Sequence, residues 1–271
     1  MRDPRVRRLL LPASLALLAL AISLTPAPRA VADDKAEEGF KVLFNGKDLT
    51  GWHKNPEKIG HGTGGKWVVE DGAITGEQDP PGSGNGGILL SDETYGDFEV
   101  KFEANPDWGP CSGFFMRSTE KGNCYQMMID YHDKGNVGEI YREGLDGKSN
   151  RTFDLNGIYA DTEKKMLTAI KADKAENPGN KDAKPKLNLA DWGKVWKLKD
   201  WNTVHCKVVG NPPTITTWIN GTLITEYTSD NKFEKVLGDK GHIAFQVHGG
   251  SYGWPLGAKV RFRNVRVKPL N

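Results

Sequence analysis

Cysteine is scarce. Cys111, Cys124 and Cys206 are the only three in 271 residues, and no CxxC or HExxH pattern surrounds them, so a zinc site has no sequence signature. An odd number also excludes a fully paired disulfide framework. The sequence favours three buried thiols acting as small apolar side chains. A local Cys111–Cys124 bridge across neighbouring strands is the alternative. Charge of one sign is lacking too, with 37 Lys+Arg against 35 Asp+Glu. That balance gives no support to nucleic-acid binding as the main role. Long helical periodicity and internal repeats are also missing.

What is present begins with an export leader. Four arginines lie in the first eight residues, and an apolar run extends from Leu9 to Leu24. At about 16 residues it is short for a membrane span of ~20. Ala30-Val31-Ala32 supplies small residues where a signal peptidase cuts. Residues 1–32 are therefore read as a secretory signal peptide, leaving no stable membrane anchor and a secreted or periplasmic product. Its removal takes five arginines and one aspartate, leaving 32 basic against 34 acidic residues, 32 − 34 = −2. Residues 33–38 read as a flexible N-terminus and 39–271 as a single domain.

That domain is rich in turns. Its 32 glycines punctuate short apolar runs, the pattern of strands rather than helices. Asn45-Gly46, Asp71-Gly72 and Asn220-Gly221 are tight-turn pairs. FEVKFEAN alternates cleanly, with Phe98, Val100 and Phe102 towards a core and Glu99, Lys101 and Glu103 towards water. In GHIAFQVHG, Ile243, Phe245 and Val247 share one face, and His242, Ala244, Gln246 and His248 the other. The closing KVRFRNVRVKP has a step at Asn264 that predicts a bulge. Residues 161–200 hold ten lysines and seven acids and read as a Lys-rich, solvated surface insertion, with a helical turn or two in KKMLTAIKADKAE. The expected fold is all-β: a two-sheet antiparallel jelly-roll sandwich with one functional face.

The candidate site lies in CSGFFMRSTEKGNCYQMMIDYHDKGNVGEIY, read as three strands over 113–118, 125–131 and 138–141. Alternation places Phe115 with Arg117, Gln126 with Met128 and Asp130, and Glu139 with Tyr141. Were the strands neighbours, Arg117, Gln126, Asp130 and Glu139 would converge on a rigid sheet, as a carbohydrate or catalytic site requires. A solvated face with an Arg–Asp pair explains the same pattern without function.

FKVLFNGKDLTGWH, WVVEDGAITG, GDFEVKFEA, CSGFFMRS, YQMMIDYH, TTWINGTLI, IAFQVHGG and VRFRNVRVKPL, in this order, resemble the 3-keto-disaccharide hydrolase domain family across nearly all of the mature chain. The resemblance implies a concanavalin A-like/glucanase jelly roll, export, and a sugar oxidised at carbon 3. A ketone there acidifies the hydrogen on carbon 2, so the glycosidic bond breaks by elimination and water adds back. Such a site needs a base near carbon 2, a cationic or hydrogen-bonding group at the enolate oxygen, and an acid at the leaving oxygen. It does not need the two opposed carboxylates of ordinary glycosidases.

Arg117 is the candidate for the enolate, since a guanidinium is always charged and bidentate. Asp130 is the candidate base or hydroxyl acceptor, and His248, with a pKa near neutrality, the acid/base. Glu139 is a further carboxylate. Gln126 and Gln246 are expected to bind sugar hydroxyls, and Tyr141, Tyr252 and Trp254 to stack on sugar faces. Relatives often carry a carboxylate in a YE-x-Q-type strand, where this chain has Tyr125-Gln126 and Met128. An amide at 126 is no general base, which keeps a non-catalytic carbohydrate-binding module as the alternative. An ordinary β-glucanase would need an ExDxxE strand, which does not occur. No cofactor is expected. Jelly rolls of this type often hold a structural calcium, but no ligand run is readable.

Overall fold

The computed structural model describes residues 37–161, 163, 166–231, 233–250 and 254–270. The leader expected over 1–32 lies outside the described residues, as does Tyr252. In chain order the strands are β1 (Lys41–Val42), β2 (Trp52–Lys54), β3 (Lys66–Glu70), β4 (Ala73–Glu77), β5 (Gly87–Tyr95), β6 (Asp97–Ala104), β7 (Gly113–Ser118) and β8 (Cys124–Ile129). They continue with β9 (Val137–Glu143), β10 (Phe153–Asp161), β11 (Met166–Lys174), β12 (Asn202–Val209), β13 (Thr214–Ile219), β14 (Thr222–Thr228), β15 (Gly241–Val247) and β16 (Val260–Leu270). Two large antiparallel sheets result, with β10 and β11 forming a separate two-stranded one. One is ordered β14-β13-β12-β6-β16-β4-β3, with β1 also paired to β16, and the other β2-β5-β15-β7-β8-β9. This is the jelly-roll sandwich that the strand pattern predicts.

Between the sheets lies an apolar core built by alternation. In β6 every second residue is buried, Phe98, Val100 and Phe102 among them. Phe102 and Phe262 from one sheet meet Phe114 and Phe245 from the other, with the Phe245 and Phe262 rings stacked at 4.0 Å. Facing solvent, Glu99 pairs with His205 and Glu103 with Arg263. Such exposed pairs contribute little to stability. Asp71-Gly72 and Asn220-Gly221 turn the hairpins β3–β4 and β13–β14 with positive φ at both residues. The bulge at Asn264 also forms, with φ 54° and a register shift between Arg263 and Arg266.

Residues 161–200 differ from the expectation of a solvated insertion. β11 pairs with β10 in a two-stranded hairpin, and Leu167, Ile170 and Ala172 are buried with Leu187, Trp192, Val195 and Trp196 in the main core. Met166–Lys174, where a helical turn or two was expected, is strand, and helix among the described residues of 161–200 is confined to Trp192–Val195 and the preceding Leu189–Asp191 turn. Trp192 stacks on Trp196 and packs against Phe153, while the Trp196 indole donates to Tyr131 Oη at 2.8 Å. β11 turns Met166, Thr168, Lys171 and Lys174 outward, which masks the few apolar side chains that seat it. Trp192→Ala is expected to cost about 3–5 kcal/mol in urea unfolding, whereas a solvated insertion would lose almost nothing.

Candidate functional site

The face of the six-stranded sheet turned away from the core has an apolar half and a polar half. Ile88, Leu90, Phe115, Cys124 and Ala244 form a small cluster, with Ile59 packed over it. Ile59 belongs to the β2–β3 loop, which Asn55 clamps by accepting from the Ile88 amide and donating to the carbonyls of Glu57 and Gly62. The same loop delivers His61 to the polar half. Its backbone fits there only because Gly249 lacks a side chain, since a Cβ at 249 would lie 2.1 Å from His61 O.

In the polar half Gln126 donates to Gln246 Oε1 at 3.2 Å, and Gln246 Nε2 meets His61 Nε2 at 3.0 Å. The same His61 nitrogen lies 3.4 Å from Glu143 Oε1. A side-chain amide nitrogen only donates, so His61 Nε2 accepts from Gln246 in this arrangement. His248 packs against His61 with ring centroids 4.8 Å apart. Burial, then the neighbouring His61, lowers the His248 pKa below its ordinary 6.5, which keeps that imidazole neutral at pH 7. Gln78, itself buried, holds the end of β15 by donating to the carbonyls of His248 and Gly250, each at 2.9 Å.

Beyond the end of β8 the chain continues the ladder. Tyr131 N donates to Pro110 O and Ile129 N to Ser112 O, which sets Cys111 opposite Asp130. His132 follows two residues later, with Nε2 3.0 Å from Cys111 Sγ. The ligand-type atoms of Cys111, Asp130 and His132 all lie within 4.8 Å of one another. Burial pushes Asp130 well above the usual carboxylate range, against the pull of His132 and Arg151. Glu143 acts electrostatically on Asp130, Tyr141 and His248, and His132 acts on His248, so the two groups form one polar site. Beside it, a cavity of about 970 Å³ is lined by Trp108, Tyr131, His132, Tyr159, Met166 and Trp254.

Of the residues expected from sequence, Asp130, Tyr141 and His248 meet here. Gln126 and Gln246 are buried beneath the site, their amides used by each other, by Ser112 and by His61. Trp254 is buried at the cavity edge, with its indole donating to Ala258 O. Arg117 is elsewhere. It has φ 52°, and β7 carries one more residue than β15 between Phe115 and Ser118. This bulge breaks the expected sharing of a face with Phe115. The guanidinium is buried and spent on Asp97 Oδ1 at 2.7 Å and on the carbonyls of Gly96 and Gly210, so Arg117 is a structural anchor rather than an enolate ligand.

Glu139 also leaves the group. β9 has an extra residue between Val137 and Ile140. There the Glu139 carboxylate accepts from Thr152 N, Thr152 Oγ1 and Asn136 Nδ2 at 2.5–2.8 Å, beside a second cavity that includes Arg142 and Thr225. Burial outweighs these donors and raises its pKa to about 7. An unfolded glutamate ionises near 4.3, so between there and pH 7 the native state holds the extra proton. Stability then falls as pH rises through this window, by on the order of 3 kcal/mol. Glu139→Gln, whose amide can donate to the Thr152 hydroxyl, is expected to flatten that slope in urea unfolding measured from pH 4.5 to 8.

Sequence reasoning missed His61, His132 and Glu143 and found no ligand role for Cys111. His132 was within reach, two residues from Asp130 and so on the same face of an extended chain. His61 carried no such signal, being 185 residues from its partner Gln246. All three cysteines are free. Cys206 packs on Met127 in the core and Cys124 in the small cluster, while Cys111 faces His132.

Among solved structures, a protein of Parabacteroides distasonis described as a glycosyl hydrolase is 22% identical, matching over 86% of this chain and 95% of its own with a TM-score of 0.45. The carbohydrate-binding module CBM66 of Bacillus subtilis is 12% identical over 84% of this chain and 99% of its own, with a TM-score of 0.43. The β-glucanase of Bacillus licheniformis is 12% identical over 86% and 97%, also with 0.43. No curated protein matches. A family model described as the 3-keto-alpha-glucoside-1,2-lyase-like domain matches residues 39–268, nearly the whole described sandwich, and the chain belongs to that family.

Proposed function

We propose that this is an exported enzyme that cleaves 3-keto-glycosides by elimination. The observation that carries the reading is His248, whose Nδ1 donates to Gly249 O at 2.6 Å and so leaves Nε2 as a bare lone pair. His248, held neutral by burial, takes the proton from carbon 2, whose acidity comes from the ketone. As the C1–O bond breaks, its electrons leave on the glycosidic oxygen, and the His248 imidazolium formed in the first step returns its proton to that oxygen. The product is an unsaturated keto sugar, and addition of water completes a net hydrolysis. Carbon 2 and the glycosidic oxygen are separated by carbon 1 alone, a spacing that a single ring can serve. The aromatic cavity beside His132 receives the leaving group, since ring faces and a polar rim suit a sugar or a planar aglycone.

The test is a 3-keto-glucoside with a chromogenic leaving group, run beside the unoxidised glucoside. Release from the keto sugar alone supports the elimination. Release from the unoxidised sugar refutes the mechanism. Sugar binding without release from either identifies a carbohydrate-binding module, the reading favoured by Gln126, a buried amide where relatives often carry a carboxylate.

A further inference from the structure

We infer that Cys111, Asp130 and His132 form a three-ligand site for a soft divalent cation, Zn²⁺ or a similar metal, inside the polar site. Its geometry comes from the ladder. Cys111 stands directly opposite Asp130, as the Ser112–Ile129 and Pro110–Tyr131 backbone bonds require, and His132 is the next residue on that face. Cross-strand partners and i, i+2 neighbours are the closest same-face side chains a sheet offers. Three donors are thus set on a backbone that is hydrogen-bonded on both sides. Thiolate, carboxylate and imidazole with one position left open is the donor set of a catalytic zinc.

The hydrogen-bonding pattern points the same way. His132 Nδ1 lies 2.7 Å from Asp133 O, and a carbonyl can only accept, so Nδ1 carries the ring proton. Nε2 is then a bare lone pair aimed at Cys111 Sγ. The Asp130 carboxylate is a second acceptor for the same thiol. One S–H proton cannot serve both acceptors, whereas a cation between the three satisfies all of them. A carbonyl behind a ligating histidine is the usual device for fixing tautomer and ring orientation. Asp133 is itself held, its side chain accepting from Gly157 N at 2.7 Å and Tyr159 Oη at 2.6 Å. Tetrahedral Zn²⁺, with bonds of about 2.3 Å to sulfur and 2.0 Å to nitrogen, sets S···N near 3.6 Å. The observed 3.0 Å requires the two side chains to part by roughly half an ångström. Arg151, the nearby competing cation, is engaged by Asp154.

This inference rests on the elimination reading only for its purpose. With Arg117 withdrawn into a structural bridge, that chemistry needs another positive charge at the enolate oxygen, and a Lewis-acidic metal with an open position supplies one.

Binding is measured without turnover. Reduced, chelator-treated protein is titrated with Co²⁺, followed by displacement with Zn²⁺. One equivalent should bind with a near-ultraviolet thiolate-to-cobalt charge-transfer band that Zn²⁺ abolishes. Cys111→Ser should remove that band, and His132→Ala should weaken Co²⁺ binding by more than about tenfold, each with an unchanged circular dichroism spectrum. No uptake by the parent protein overturns the inference. So does uptake with the same spectrum and affinity in Cys111→Ser or in His132→Ala. A protein that binds Co²⁺ in this way but leaves the keto-glucoside intact keeps the metal site and loses the proposed reaction, so the two can fail separately.

Discussion

Replacing His248 by alanine is expected to lower turnover of a 3-keto-glucoside about 10²–10⁴-fold, the usual contribution of a positioned general base. The loss should fall on kcat more than on KM, because proton abstraction acts in the transition state. Stability should change little. The imidazole is half-buried rather than part of the core, and Gln78 binds the backbone of residue 248, which alanine retains. Partial rescue by added imidazole would identify the missing group as a base. An unchanged kcat in the folded variant would remove His248 from the mechanism. The base works only when unprotonated, and burial holds its pKa below the ordinary 6.5. The wild-type rate should therefore rise with pH below that value and level off before neutrality, and no such limb should remain in the alanine variant.

Arg117→Ala is expected to destabilise the protein by on the order of 3 kcal/mol while the folded fraction keeps its turnover. The guanidinium makes three charge-assisted hydrogen bonds from a buried position, to Asp97 and to the carbonyls of Gly96 and Gly210. Removing it leaves two carbonyls without their donor and an aspartate without its cation. Asp97 is 32% exposed, so water recovers part of the cost and keeps it below that of a fully buried pair. Urea unfolding measures the loss, and activity below the transition separates the two roles. A well-folded variant with collapsed kcat would return Arg117 to the active site.

The contrast between Arg117 and Asp130 shows where sequence reading succeeds and where it stops. Both were placed by strand alternation. Asp130 keeps its face because the ladder from Cys111 to Tyr131 runs without an insertion. Arg117 loses its face to one extra residue in β7, and Glu139 is displaced in the same way in β9. A bulge is a compromise between two paired strands, and one strand alone does not announce it. Asn264 was the exception, because a polar residue interrupts an otherwise alternating run. The β10–β11 hairpin failed for another reason: the lysines scattered through residues 161–200 conceal that Leu167, Ile170 and Trp192 complete the core.

The sequence by itself determined the all-β class, the hairpin turns, the inward faces of β6 and β15, the bulge in β16, and the family. All of these rest on local chemistry: alternation, positive-φ turn pairs and the order of short motifs. Only the tertiary structure decided the composition of the site. His61 comes from the loop after β2, Glu143 from β9 and His248 from the end of β15, and the sheet order alone makes them neighbours. The same ladder that sets Cys111 across from Asp130 turns three unremarkable residues into a set of metal-type donors. Distances across a sandwich depend on which strands pair and where a bulge shifts them, and that balance is struck by the whole chain.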